Sequence, residues 1–160
     1  MIVAFVVAAL SVAGLNLSTQ NLKGEPRLFP ADVAQRRAVV VVTFSKSASD
    51  EASEWTRRLR ENQQKLAASI YQIAILEDVP GLFRSFVISA LRRAIPRDLH
   101  NNFWIATSSS KEWQELIGSR SDEAHVFVLE GRSEIIWRFH GAFSESRLRS
   151  LLAASSAQNN

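Results

Sequence analysis

Residues 38–55 read AVVVVTFSKSASDEASEW. Ala38 to Phe44 is a β-branched run too short for a comfortable helix and apolar at both parities, the pattern of an interior strand covered on both faces. Ser45 to Asp50 is a polar bend, and the first turns of a helix follow. Ser47, Ser49 and Asp50 each carry a short oxygen-bearing side chain that can satisfy an orphan N–H of a first turn, so capping is their expected role. The bend also lies at a strand's carboxyl end, where crossover folds place ligands. A serine hydroxyl there is a poor nucleophile unless a base lies within reach, and neither a GxSxG elbow nor a neighbouring histidine accompanies it.

Downstream, the helix is expected to run to about Ala68, with Ala52, Trp55, Leu59, Gln63 and Leu66 along one stripe. Tyr71 to Leu76 supplies a second strand, and Pro80 and Gly81 turn the chain. Strand, helix, strand at this spacing is a right-handed crossover. Leu82 to Ile95 repeats apolar residues at Phe83, Phe86, Val87, Ala90, Leu91 and Ala94, which predicts a second helix stopped by Pro96. Phe103 to Ala106 reads as a third strand, and Ser109 with Glu112 fits a capping box opening a helix through Ile117. Gly118 closes that helix. Ala124 to Leu129 and Glu134 to Phe139 are two strands joined at hairpin length through Gly131. Ser144 caps a last helix to about Ala154, with Leu148, Leu151 and Leu152 facing inward, and 155–160 form a frayed tail. The order β-α-β-α-β-α-β-β-α implies an α/β fold with a mixed sheet between helical layers.

Upstream, Ser18 to Gln35 is punctuated by Gly24, Pro26 and Pro30 and reads as a short edge strand or clasp. Ile2 to Ala13 is an unbroken apolar run. Twelve residues at about 1.5 Å each fall short of a hydrocarbon core of roughly 30 Å, and Ser11 and Ala13 are spaced as a signal peptidase requires. Residues 1–13 are therefore expected to be a signal peptide or short hydrophobic anchor, with a buried strand or helix of a cytosolic protein as the alternative. The domain proper is expected over 18–154.

The chain has 160 residues, 46% of them apolar and 22% charged, enough for one domain with a proper core. A net charge of +3 is too modest to imply a nucleic-acid partner. Trp104, Trp113 and Trp137 lack the interleaved basic residues of a base-stacking platform and are expected in the core. There is no cysteine, which excludes disulfides, thiol nucleophiles, thiol peroxidase chemistry and thiolate metal sites.

The order of elements, with its junction after an interior strand and its closing hairpin plus helix, resembles the thioredoxin-like three-layer sandwich. In redox-active members that resemblance places the CxxC cysteines at Ser49 and Ala52 and the cis-proline at Ala124. All three positions lack the signature residue. More specifically, VVVVTFSKSASDEASEW, FVISALRRAIPRDLHNNFWIA and HVFVLEGRSEIIWRFHGAFSE resemble the ATP10 family, assembly factors of the mitochondrial ATP synthase membrane sector. Together these segments span about Asn21 to Leu152. No basic, serine-rich transit peptide precedes them, and the N-terminus suits bacterial export better.

Other candidates rest on the residues alone. His100, His125 and His140 have none of the spacings of a metal helix, so neither a metal nor a cofactor is expected. His125 falls in an interior strand, where a hydrogen-bonded core imidazole is the common outcome. Glu77 and Asp78, adjacent at a strand end, project differently and read as solvated loop charges. Arg84, Arg92, Arg93 and Arg97 are the candidates for a cationic strip facing anionic lipid or an acidic partner. These readings combine into a non-catalytic binding or assembly protein, exported, periplasmic or membrane-tethered, with a protein partner, a membrane protein among the candidates. The alternative is a non-thiol enzyme on a redox-dead thioredoxin- or peroxiredoxin-like scaffold, working through the Ser45 to Asp50 loop.

Overall fold

The computed structural model describes residues 9–33, 36–118 and 122–156. Strand β4 (Arg37–Thr43) is buried at every position and forms the middle of the sheet. It pairs in parallel with β5 (Ser69–Ile75), which pairs in parallel with β6 (Phe103–Ala106). On its other side β4 meets β7 (His125–Glu130) antiparallel, and β7 forms a hairpin with β8 (Glu134–His140). The turn uses positive φ at Gly131 and Arg132. Helices α1 (Ser49–Glu61), α3 (Gly81–Ala94), α4 (Ser110–Ile117) and α5 (Glu145–Ser156) fill the intervals where the periodicity places them. The expected single helix from the bend to Ala68 is broken. α1 ends at Asn62, and a short α2 (Gln63–Leu66) closes on Ala67 in the left-handed region.

Among the described residues, three strands lie upstream of this unit. The segment expected to be a short edge strand or clasp is a hairpin of two strands, β2 (Leu17–Asn21) and β3 (Pro26–Phe29), which extends the sheet beyond β6. At the opposite end β1 (Leu10–Ser11) pairs with β8, so among the described residues the strands run β1-β8-β7-β4-β5-β6-β2-β3. Val12, 1% exposed, donates its N–H to the Ser133 carbonyl. The sheet thus takes in residues upstream of position 18, where the domain was expected to start, and cleavage after Ala13 would remove β1 and Val12 from it. The rest of the apolar run, 1–8, lies outside the described residues.

Register assigns the faces. Val39, Val41, Ile70, Val126, Val128 and Trp137 point to one side, where Trp55 and Leu59 of α1, Leu66 of α2 and Leu148 and Leu151 of α5 cover them. Ala74, Phe103 and Ile105 lie on the same side, under Val87, Ile88 and Leu91 of α3. The other face carries Val40, Val42, Ile73, Trp104 and Phe127, covered by Trp113 and Leu116 of α4 and by Phe29 and Val33. Helices therefore flank a mixed sheet on both sides, and every β-branched residue of β4 is used because both its faces are dry.

Candidate functional site

The bend after β4 is built differently from its expected caps. Lys46–Ala48 forms one 3₁₀ turn, Ala48 stands at the N-cap of α1, and no side chain caps either helix start. Ser45 and Ser47 bond each other through their hydroxyls at 2.8 Å. Ser47, Ser49 and Asp50 thus do not take the capping role assigned to them. With the turn already wound at Lys46, the Ser49 N–H is taken up by the Lys46 carbonyl. Asp50 and Glu51 instead put two carboxylates in the first turn, where the helix dipole favours negative charge.

Glu51 reaches out of the helix. Its Oε2 accepts the backbone N–H of Ala124 at 2.9 Å. The Ala124 carbonyl accepts from the N–H of Gly141 at 2.9 Å, and the Gly141 carbonyl accepts from Nε1 of Trp55 at 2.9 Å. Glu51 and Trp55 are one turn apart on α1, so the three bonds close a ring from the helix through the start of β7 and the end of β8. Trp55 is fully buried and packs against Phe139 and Phe143. The positions that the resemblance equates with the two cysteines and the facing proline, Ser49, Ala52 and Ala124, therefore stand at one junction. Ala52 and Ala124 are buried, and Ser49 is half-buried. Glu51 was not among the expected site residues. Its signal was a carboxylate between positions 49 and 52, facing a non-proline residue whose N–H needs an acceptor.

Beside this ring, His125 and His140 sit opposite each other across β7 and β8, ring centres 5.9 Å apart. His125 is buried with its ring edge-on to Phe44, the core role expected for it. His140 is exposed and pairs through Nδ1 with Glu123 at 2.6 Å. His100 is remote from both in sequence and bonds the Ile95 carbonyl. Among the described residues no three His, Asp or Glu side chains gather as metal ligands.

Glu77, expected to be a solvated charge, caps α4. Its Oε2 accepts the Ser110 N–H, and the Ser110 hydroxyl and N–H together hold its carboxyl below the ordinary value. The expected capping box is not made: Ser109 adopts φ 64°, in the left-handed region and not the extended backbone of a capping residue, and no side-chain bond caps the helix from there. Ser144 does cap α5, accepting the Arg147 N–H.

The four arginines do not form one strip. Arg84 and Arg92, eight residues apart, differ by about 80° around a helix. Arg84 turns back to the carbonyls of Glu77 and Val79, and Arg92 donates through Nε to the Leu22 carbonyl. Arg93 and Arg97 stand exposed. The side chains of α3 also depart from expectation. Val87, Ile88 and Leu91 pack on the sheet, whereas Leu82, Phe83 and Phe86 are 90, 60 and 75% exposed.

No family model and no curated protein matches the chain. Solved structures do. One is copper-bound ScoI of Arabidopsis thaliana, at TM-score 0.59 and 8% identity over 89% of this chain and 97% of that one. Another is a SCO1/SenC family lipoprotein of Bacillus anthracis, at TM-score 0.57 and 11% identity over 91% and 94%. A third is a thio-disulfide isomerase of Thermus thermophilus, at TM-score 0.52 and 18% identity over 88% and 92%. At such identities the likeness is one of fold, and the fold is thioredoxin-like. The junction described above, with a carboxylate-to-amide ring and no sulfur, makes this a thiol-free member of that fold class. Copper of the kind named for ScoI finds no fitting donor set here, since the chain has no thiolate and no three ligands converge among the described residues.

Proposed function

We propose that this protein is a non-catalytic thioredoxin-like binding protein that assists the assembly of a membrane protein from outside the cytoplasm or from a membrane tether. The ring through Glu51, Ala124, Gly141 and Trp55 carries this reading. A proline at position 124 has no N–H to give. An alanine there has one, and Glu51, seated between the two cysteine-equivalent positions, takes it up. The edge that performs thiol exchange elsewhere in this fold is thereby held closed by hydrogen bonds, and what it offers a partner is shape and charge. Two neighbours support the assembly role and the membrane tether by what they are. One is a member of the Sco family of cytochrome c oxidase assembly proteins, and another is a lipoprotein. The resemblance to ATP10 narrows the client to a membrane-embedded enzyme sector.

The reading is tested by capture of the tagged protein from native membranes, with reciprocal capture by the recovered partner. We expect a membrane protein to be recovered by wild type and by Ser49→Ala alike, and recovery to fall when Lys46 and Ser47 at the rim are changed to Glu. Freely soluble, partner-free protein in every fraction overturns the reading. Insulin reduction by the pure chain does so equally.

A further inference from the structure

Helix α3 turns a hydrophobic face to solvent. Leu82, Phe83 and Phe86 are 90, 60 and 75% exposed, although the same helix has Val87, Ile88 and Leu91 available for its core contact. Leu82, Phe86 and Ala90 follow at intervals of four, each about 40° from the last, so they make one continuous stripe. Isolated exposed apolar residues are ordinary, but a contiguous aromatic and leucine stripe on one helix marks an interaction surface. The stripe ends in opposite charges. Asp78 is exposed in the turn before the helix, and Arg93, within about 20° of Phe86 around the axis, is exposed beyond it. The two other arginines of the helix are already held by backbone carbonyls of the chain's own fold.

We propose that this face pairs with the same face of a second copy, the two α3 helices crossing antiparallel about a two-fold axis at Phe86. That axis sets position i against position 172 − i. Leu82 of one copy then lies over the small Ala90 of the other, Phe86 meets its own equivalent, and Arg93 arrives at the Asp78–Val79 turn. The pairing is self-complementary, as a two-fold interface has to be. An anionic lipid surface fits the stripe less well, because it meets the exposed Asp78 beside the side chains that would insert. The apolar area is about 400 Å² per copy, taking side chains of Phe size at roughly 150 to 250 Å². Both copies with their charged flanks approach the lower limit of about 1,200 Å² for stable interfaces, so the dimer is a weak one. This proposal stands apart from the assembly reading, since it concerns α3 and not the junction of α1 with β7.

Sedimentation velocity on the full chain tests it. Between about 1 and 200 µM at low salt, wild type is expected to pass from monomer to dimer, a micromolar association. Phe86→Asp, at a position already mostly in water and so without cost to the fold as checked by circular dichroism, stays monomeric throughout. Asp78→Arg alone and Arg93→Asp alone each weaken the dimer by roughly tenfold, and the two together restore it. Wild type that remains monomeric at the highest concentration overturns the proposal, as does a dimer indifferent to Phe86→Asp or a double reversal that fails to compensate. Flotation with phosphatidylglycerol vesicles that is lost in Phe86→Asp and strengthened in Asp78→Arg assigns the face to lipid, and so overturns it as well.

Discussion

Glu51 shows how one side chain settles the character of the junction. Its carboxylate is half-buried, and the amide it serves belongs to Ala124, which is fully buried. Glu51→Ala leaves that N–H without its acceptor, at a cost of about 1 to 3 kcal/mol. Chemical denaturation should show the loss, and Glu51→Gln, whose amide oxygen still accepts, should recover most of it. Glu77 gives a pH-dependent counterpart. Its bonds to Ser110 lower its carboxyl below the ordinary 4.5, so the folded state binds that proton less readily than the unfolded chain. The stabilisation is complete above about pH 4.5 and is lost as pH falls through the lowered value. Glu77→Gln should therefore melt below wild type at neutral pH, and the gap should narrow in acid, as read from thermal midpoints measured across that range.

At the scale of elements, α1 and β1 are fastened in different ways. Trp55 anchors α1 by burial, by its contacts with Phe139 and Phe143, and by the Nε1 bond to Gly141. Trp55→Ala removes all of these together and is expected to cost about 3 to 5 kcal/mol, measured by urea unfolding. Trp55→Phe should keep the packing and lose mainly the bond. β1 has only two paired residues, yet Val12 behind it is buried in the core that includes Ile135. A chain beginning at Gly14 exposes that core, and we expect it to lose about 2 kcal/mol from the missing Val12 and edge pairing, again by urea unfolding. A truncated chain as stable as the full one would remove β1 from the working fold. Periodicity located α3 to within a residue at each end but misassigned its outward side. A repeat of apolar residues states that a helix has a hydrophobic stripe, and here it has more of it than the sheet can cover.

For the whole molecule, the central crossover, the closing hairpin and the helical layers on both faces follow from patterns local in sequence. A doubly covered strand must be apolar at every position, and a helix resting on it must repeat every three to four residues. Those constraints act within ten or fifteen residues, which is why β4 through α5 and the thioredoxin-like architecture were legible in the chain. The absence of thiol chemistry was equally legible, since no arrangement of this chain creates a sulfur nucleophile. The upstream strands were less so, because short segments such as Leu10–Ser11 carry too few residues to show an alternation and are strands only by the partner they meet. The same holds for the site. Glu51 and Ala124 are 73 residues apart, as are many pairs that never touch, and only the packing of α1 against the ends of β7 and β8 makes them partners. Ser109 and Glu77 exchanged their expected roles for a like reason, a left-handed backbone at one and a neighbouring strand end at the other. The amino-acid order by itself determined the central strands, the helices against them and the chemistry that is missing, because these depend on residue type and short-range spacing. The folded chain alone decided which polar groups meet and which apolar face is left in water, because those depend on contacts between segments far apart along it.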